Sequence, residues 1–166
     1  MKKIQILVLI LLAIFTGRFS AFAQVGKVPA GSRDKEIVRP APNLLHEKKK
    51  MLISILEKQE SDWNKGNLKG FLSAYWNSDT LRSLSVRGLQ YGYDRLEKKL
   101  LKSYPDSASM GHLDYDVIQI ELIGEMDAMI TGKWLRKNDK KFQGGFFTVL
   151  MRKIKGRWLI VSEQLS

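Results

Sequence analysis

Residues 145–165 read GFFTVLMRKIKGRWLIVSEQL, two apolar runs divided by Lys155-Gly156. A two-residue period on both sides predicts strands over Gly145–Ile154 and Arg157–Leu165, and a two-residue linker ending in Gly makes them a tight hairpin. The same period extends upstream to Leu113–Ile123 and Ala128–Arg136, with the polar link Lys137–Lys141 between hairpin partners. In the first of these runs the apolar phase slips by one residue near Val117, as a β-bulge would produce.

Before Gly111 the period is helical. Asn43 is a good N-cap, and Leu45, Leu52, Ile55, Leu56 and Trp63 predict a helix over about 44–65 that Gly66 stops. Asn67 caps a second, where Leu68, Phe71, Leu72, Tyr75 and Trp76 form an apolar stripe. A short strand over 81–86 follows. Tyr93, Leu96, Leu100, Leu101 and Tyr104 then mark a third helix closed by Pro105. Helices first and antiparallel strands after them give an α+β class: three N-terminal helices packed on a strongly curved antiparallel sheet. Such a cone is either filled by side chains or holds a small ligand.

The N-terminus has the parts of a secretory signal peptide: Lys2 and Lys3, the apolar run Ile4–Phe15, and Ala21-Phe22-Ala23. Gly17, Arg18 and Ser20 cut the run short of the roughly 20 residues that a membrane span needs. The expectation is cleavage after Ala23 and export to the periplasm or medium, without stable membrane insertion. The organisation is then a signal peptide (1–23), a basic leader (24–42) rich in Pro and Lys/Arg, and one domain (43–166). With no Cys in 166 residues, disulfide scaffolds, thiolate metal sites, cysteine nucleophiles and an anchor on a lipidated Cys are excluded.

The formal charge of +11 invites a nucleic-acid partner. Losing Lys2, Lys3 and Arg18 lowers it to +8, of which +4 lies in residues 24–50 and +4 in 51–166. Export removes the compartment in which nucleic acid would be met. The basic clusters (Lys98, Lys99 and Lys102; Lys133, Arg136, Lys137, Lys140 and Lys141; Arg152–Arg157) therefore read as solvated faces, and no nucleic-acid partner is expected.

Several local patterns occur in one order: Trp63-Asn64-x-Gly66, Leu68–Tyr75, Tyr104-Pro105, Met110-Gly111-x-Leu113, Ala128-x-Ile130-x-Gly132-x-Trp134, Gly145-Phe146-Phe147-Thr148 and Gly156-x-Trp158-x-Ile160-Val161. Together they resemble the SnoaL-like branch of the nuclear-transport-factor-2-like superfamily, which has cystatin-like α+β cones. The resemblance covers about 52–166. It implies a cone with a pocket, pairing as a homodimer through the outer sheet face, and a range of roles that includes ketosteroid isomerases, polyketide cyclases, association domains and exported members of unknown function. Relatives tend to end in a His-Asp-His-Thr-Ser-like run where this chain has Ser162-Glu163-Gln164-Leu165-Ser166, so a histidine mechanism does not carry over.

Continuing the alternation of Trp158 and Ile160 puts Ser162 and Gln164 on the inner face and Glu163 outside. Asp79 stands nearest to the base of isomerase relatives, with Tyr75 as a hydrogen-bond donor that would orient a carbonyl ligand; turn chemistry in Asn77–Thr80 is the favoured reading of Asp79 and is sufficient to explain it. His112, Asp114 and Asp116 share a strand face, but one His among three residues reads as a solvated strand start, and no metal or cofactor is expected. Trp63, Trp76, Tyr93, Tyr104, Trp134 and Phe147 complete the candidate lining, with core packing as the plain alternative for the indoles. The leading reading is a binding cone for a small apolar or carbonyl-containing ligand. An isomerase- or cyclase-like enzyme using Asp79 and a filled-cone interaction module are the rivals.

Overall fold

The computed structural model of the protein describes residues 42–139 and 141–166. The expected signal peptide and the leader up to residue 41 lie outside these residues. In chain order the elements are α1 (Pro42–Asn64), α2 (Leu68–Leu72), β1 (Arg82–Ser85), β2 (Gly88–Tyr91), α3 (Tyr93–Ser103), α4 (Ser107–Met110), β3 (His112–Ile123), β4 (Asp127–Asn138), β5 (Lys141–Ile154) and β6 (Arg157–Leu165). The fold is α+β, as the periodicity predicts. Among the described residues, no helix is long and apolar enough to cross a membrane.

The six strands form one open sheet in the order β2-β1-β6-β5-β4-β3. All pairings are antiparallel except β1 with β6, which run parallel. At the β5–β6 hairpin Lys155 (φ 49°) and Gly156 (φ 81°) both take positive φ, the backbone of a two-residue primed turn that matches strand twist. Inward side chains of the sheet, with Leu52, Leu56 and Trp63 of α1, Phe71 and Leu72 of α2 and Leu96 of α3, make one core. Ala128, Ile130, Met151 and Ile160 at its centre are at most 1% exposed.

Two register shifts shape the sheet. In β3 the pairing passes from Val117–Gly132 to Gln119–Thr131, which leaves Ile118 as the extra residue. Leu113, Tyr115 and Val117 face inward before it and Ile120 and Leu122 after it. The phase slip in the sequence is this bulge. In β6 the pairing passes from Ile160–Met151 to Ser162–Leu150, with Val161 extra. Trp158 and Ile160 point inward before this shift, and Glu163 and Leu165 after it.

The second helix is shorter than its apolar stripe predicts. After Ser73 the backbone leaves the helix and joins the sheet: Ile160 N donates to Ala74 O (2.8 Å) and Trp76 N to Ile160 O (2.9 Å). Pairing with β6 satisfies both backbone groups at once, and the stripe's last members, Tyr75 and Trp76, come to rest beside the strand instead of on a helix. α4 and β2 are additions that periodicity does not predict. Asp106 caps α4 in a reciprocal capping box with Ser109, whose backbone N–H, donating at 2.7 Å, holds the Asp106 carboxyl below its usual range.

Close approach is built into β4 at Gly132. A Cβ there would stand 2.5 Å from the Asp116 carbonyl oxygen and 2.6 Å from the Phe147 ring. Gly132→Ala is expected to lower stability by roughly 2 kcal/mol through overpacking, read as an earlier urea midpoint at unchanged slope.

Candidate functional site

The shift at Val161 brings a carboxylate indoors. Glu163 is 5% exposed. Its Oε2 accepts a hydrogen bond from the Tyr75 hydroxyl at 2.6 Å, and its Oε1 accepts one from Ser83 Oγ, also at 2.6 Å. Ser83 is placed by the parallel register that sets it opposite Glu163, and Tyr75 by the bridge to Ile160. Behind them Gln59 of α1, 2% exposed, donates through Nε2 to Phe71 O at 3.3 Å. A buried carboxylate needs such donors, since it has left water behind.

The phenols respond to this setting. Burial first, and then the Glu163 charge, push Tyr75 well above the ordinary tyrosine range. Tyr115 is raised in the same way, by burial and then by the charges of Glu163 and Glu60. Both phenols stay protonated, so Tyr75 serves as a donor. With a hydrogen bond to each oxygen, Glu163 is a fixed acceptor for a ligand O–H or N–H.

These groups line one side of a chamber of about 130 Å3. Aromatic and aliphatic side chains make up most of the wall, among them Trp63, Phe71, Leu96, Tyr104, Leu113 and Trp134. Trp63 is fixed by its Nε1–H to Met110 O (3.1 Å) and by edge-on packing against Phe71 and Tyr104. The chamber shares Leu100, Tyr104, Trp134, Arg136 and Leu165 with an outer vestibule of about 420 Å3. Trp134 Nε1 is buried with no hydrogen-bond partner among the described residues.

Arg136, 8% exposed, stands where the two spaces meet. Its guanidinium donates to Ser109 O (3.2 Å), Met110 O (3.1 Å) and Gln143 Oε1, and lies 4.9 Å from the centre of the Tyr104 ring. The expectation of a solvated face fails for this residue: it is on the inward phase of β4, and its charge lies inside the protein.

The expected lining divides. Tyr75, Trp63, Tyr104 and Trp134 come together in the chamber. Phe147 is buried one layer back, stacked edge-on against Tyr115 at 5.2 Å. Trp76 and Tyr93 are half-buried and do not line it. Ser162 and Gln164 are on the opposite face of β6 from Glu163, because the extra residue at Val161 inverts the alternation. Asp79 is exposed in the turn between α2 and β1, where Ser78 Oγ donates to it at 3.4 Å, and it borders a separate surface depression with Tyr91 and Tyr93. The apolar surroundings needed for its role as base are absent, and the structure does not bring Asp79 and Tyr75 into one cavity. His112 Nε2 pairs with Asp114 Oδ1 at 3.3 Å on the exposed start of β3. No cluster of three metal-ligating side chains forms among the described residues.

Comparison with solved structures finds the same architecture. A nuclear-transport-factor-2-like protein of unknown function from Shewanella oneidensis is 31% identical, with a TM-score of 0.70 over 72% of this chain and 98% of that one. A domain of unknown function with a cystatin-like fold from Nostoc punctiforme is 12% identical, with a TM-score of 0.60 over 72% and 76% of the two chains. The association domain of CaMKII from C. elegans is also 12% identical, with a TM-score of 0.55 over 73% and 96%. The last two share the fold alone. No family model matches the chain, and no curated protein matches it.

Two measurements check the interior. Glu163→Ala strands two buried hydroxyls and is expected to cost about 3 kcal/mol in chemical denaturation, with Glu163→Gln costing about a third as much. In an alkaline titration of the five tyrosines, Tyr75 and Tyr115 should show no phenolate absorbance until the protein unfolds. Because the folded values are raised, their contribution to stability is fully present below about pH 10, where tyrosine in the unfolded chain begins to ionise, and declines as pH rises further.

Proposed function

The chain belongs to the nuclear-transport-factor-2-like superfamily, and on that premise we propose that it is an exported small-molecule-binding domain whose ligand sits in the chamber between helices and sheet. The observation that carries this reading is a chamber with an aromatic wall in which the donor Trp134 Nε1 has no acceptor among the described residues. A buried N–H without a partner costs free energy, and a ligand oxygen that reaches it by a shift of the indole or its neighbours recovers that cost. Glu163 supplies the complementary acceptor. The ligand this favours is compact and mainly apolar with a carbonyl-type oxygen; a cavity of roughly 150 Å3 is enough for one benzene ring.

Export is supported by the basic start, the short apolar run and Ala21-Phe22-Ala23. Pairing of two copies through the outer sheet face is supported by Phe142 and Phe146 of β5, 71% and 56% exposed. The interaction-module reading rests on a filled cone, which a chamber of this volume does not favour. An isomerase-like reading is left without Asp79, and Glu163 already has a donor on each oxygen.

The test is titration with acetophenone, a ring with one carbonyl acceptor, followed by tryptophan fluorescence. Saturable binding is expected, with Trp134→Phe weakening it about tenfold, the worth of one hydrogen bond. Absence of saturable binding by acetophenone and by every other compound of one ring and one carbonyl would remove the reading.

A further inference from the structure

We infer that the ligand is a small carboxylate, with its apolar body in the chamber and its carboxylate at the vestibule against Arg136. This rests on the small-molecule reading of the same chamber and names the chemical class that it takes.

The first observation is a buried charge that takes part in no direct ion pair. Among the described residues the ion pairs are Lys58–Asp62, His112–Asp114 and Arg152–Asp127, and none includes Arg136. A guanidinium carries five N–H donors; the contacts to Ser109, Met110 and Gln143 engage three. Neutral carbonyls and a tyrosine face stabilise the cation without cancelling it. A cation this buried is ordinarily matched by an anion.

The second observation is what surrounds it. Arg87 from the β1–β2 turn, Lys99 from α3 and Lys141 from the start of β5 line the same vestibule, and no acidic side chain lines it. Ser166, also on the rim, carries the terminal carboxylate, which forms an ion pair with none of them, so the rim keeps a positive excess. Four cations drawn from four separate parts of the chain thus converge on one opening. Such a rim steers an anion inward.

The third observation fixes orientation. Glu163 occupies the chamber and repels a second carboxylate there, so the charged end of a ligand stays at Arg136 while the apolar end fills the aromatic wall. Trp134 lines both spaces and sets an aromatic wall beside the Arg136 guanidinium, which can meet a carboxylate where the ring of a ligand ends. A planar fork of donors suits a carboxylate in particular.

Calorimetry of the protein with benzoate, benzamide and acetophenone separates the possibilities, since the three share a ring and a carbonyl and benzoate alone is charged. Benzoate should bind at least tenfold more tightly than benzamide, and its affinity should fall with added sodium chloride while that of benzamide stays flat. Arg136→Lys should retain part of the preference and Arg136→Gln should abolish it. Should Arg136→Gln fail to fold, Lys99→Gln and Arg87→Gln, on the vestibule rim, should each lower benzoate affinity two- to threefold and reduce its salt dependence. Benzamide or acetophenone binding as tightly as benzoate would overturn the carboxylate while leaving the small-molecule reading intact. Tighter binding of phenyl phosphate than of benzoate would also overturn it. If none of these compounds binds, both readings fall together.

Discussion

A carboxylate held inside an aromatic chamber needs the protein to replace water, and much of the local architecture around Glu163 serves that need. One oxygen is met by Tyr75 and the other by Ser83. Neither donor is near Glu163 in the chain. Ser83 arrives through a parallel pairing of β1 with β6, and Tyr75 through a backbone bridge that ends α2 after one turn and a fraction. Gln59, also buried, ties α1 to Phe71 of α2. The segment after α2 and the short parallel pairing of β1 with β6 therefore meet at one carboxylate, and removing it leaves the Tyr75 and Ser83 hydroxyls without their acceptor.

The sheet was readable because four long strands keep an even alternation and because Lys155-Gly156 has the positive φ of a tight hairpin. The two bulges show where reading holds and where it fails. In β3 apolar residues mark the inner face on both sides of the shift, Tyr115 and Val117 before it and Ile120 and Leu122 after, so the slip is visible in the sequence. In β6 the residues after the shift are Ser162, Glu163, Gln164 and Leu165, and Leu165 alone marks the inner face. Alternation carried forward from Trp158 and Ile160 assigns the wrong side to all of them. The burial of a charged residue is the result least accessible to a hydrophobic pattern, since its reason lies in Tyr75 and Ser83, about 80 residues upstream. The length of α2 fails for a related cause: the stripe through Tyr75 and Trp76 is real, but pairing with Ile160 outweighs helical spacing.

Charge gains meaning in the same way. The formal excess over residues 51–166 is modest, and along the chain its members look like separate solvated clusters. Folding collects Arg87, Lys99, Arg136 and Lys141 around the vestibule and places Glu163 deeper. The site is thus polar at two ends with opposite sign and apolar between them. That arrangement is a property of the fold that composition alone does not contain.

Since the chain has no cysteine, the orientation of β6 can be read one residue at a time by thiol labelling of Glu163→Cys and Gln164→Cys. In the folded protein the thiol at 164 is expected to react at the rate of an exposed cysteine, while the thiol at 163 stays protected until denaturant is added. Fast labelling at 163 with protection at 164 would mean that β6 runs without the shift at Val161, and the account of the interior would be contradicted.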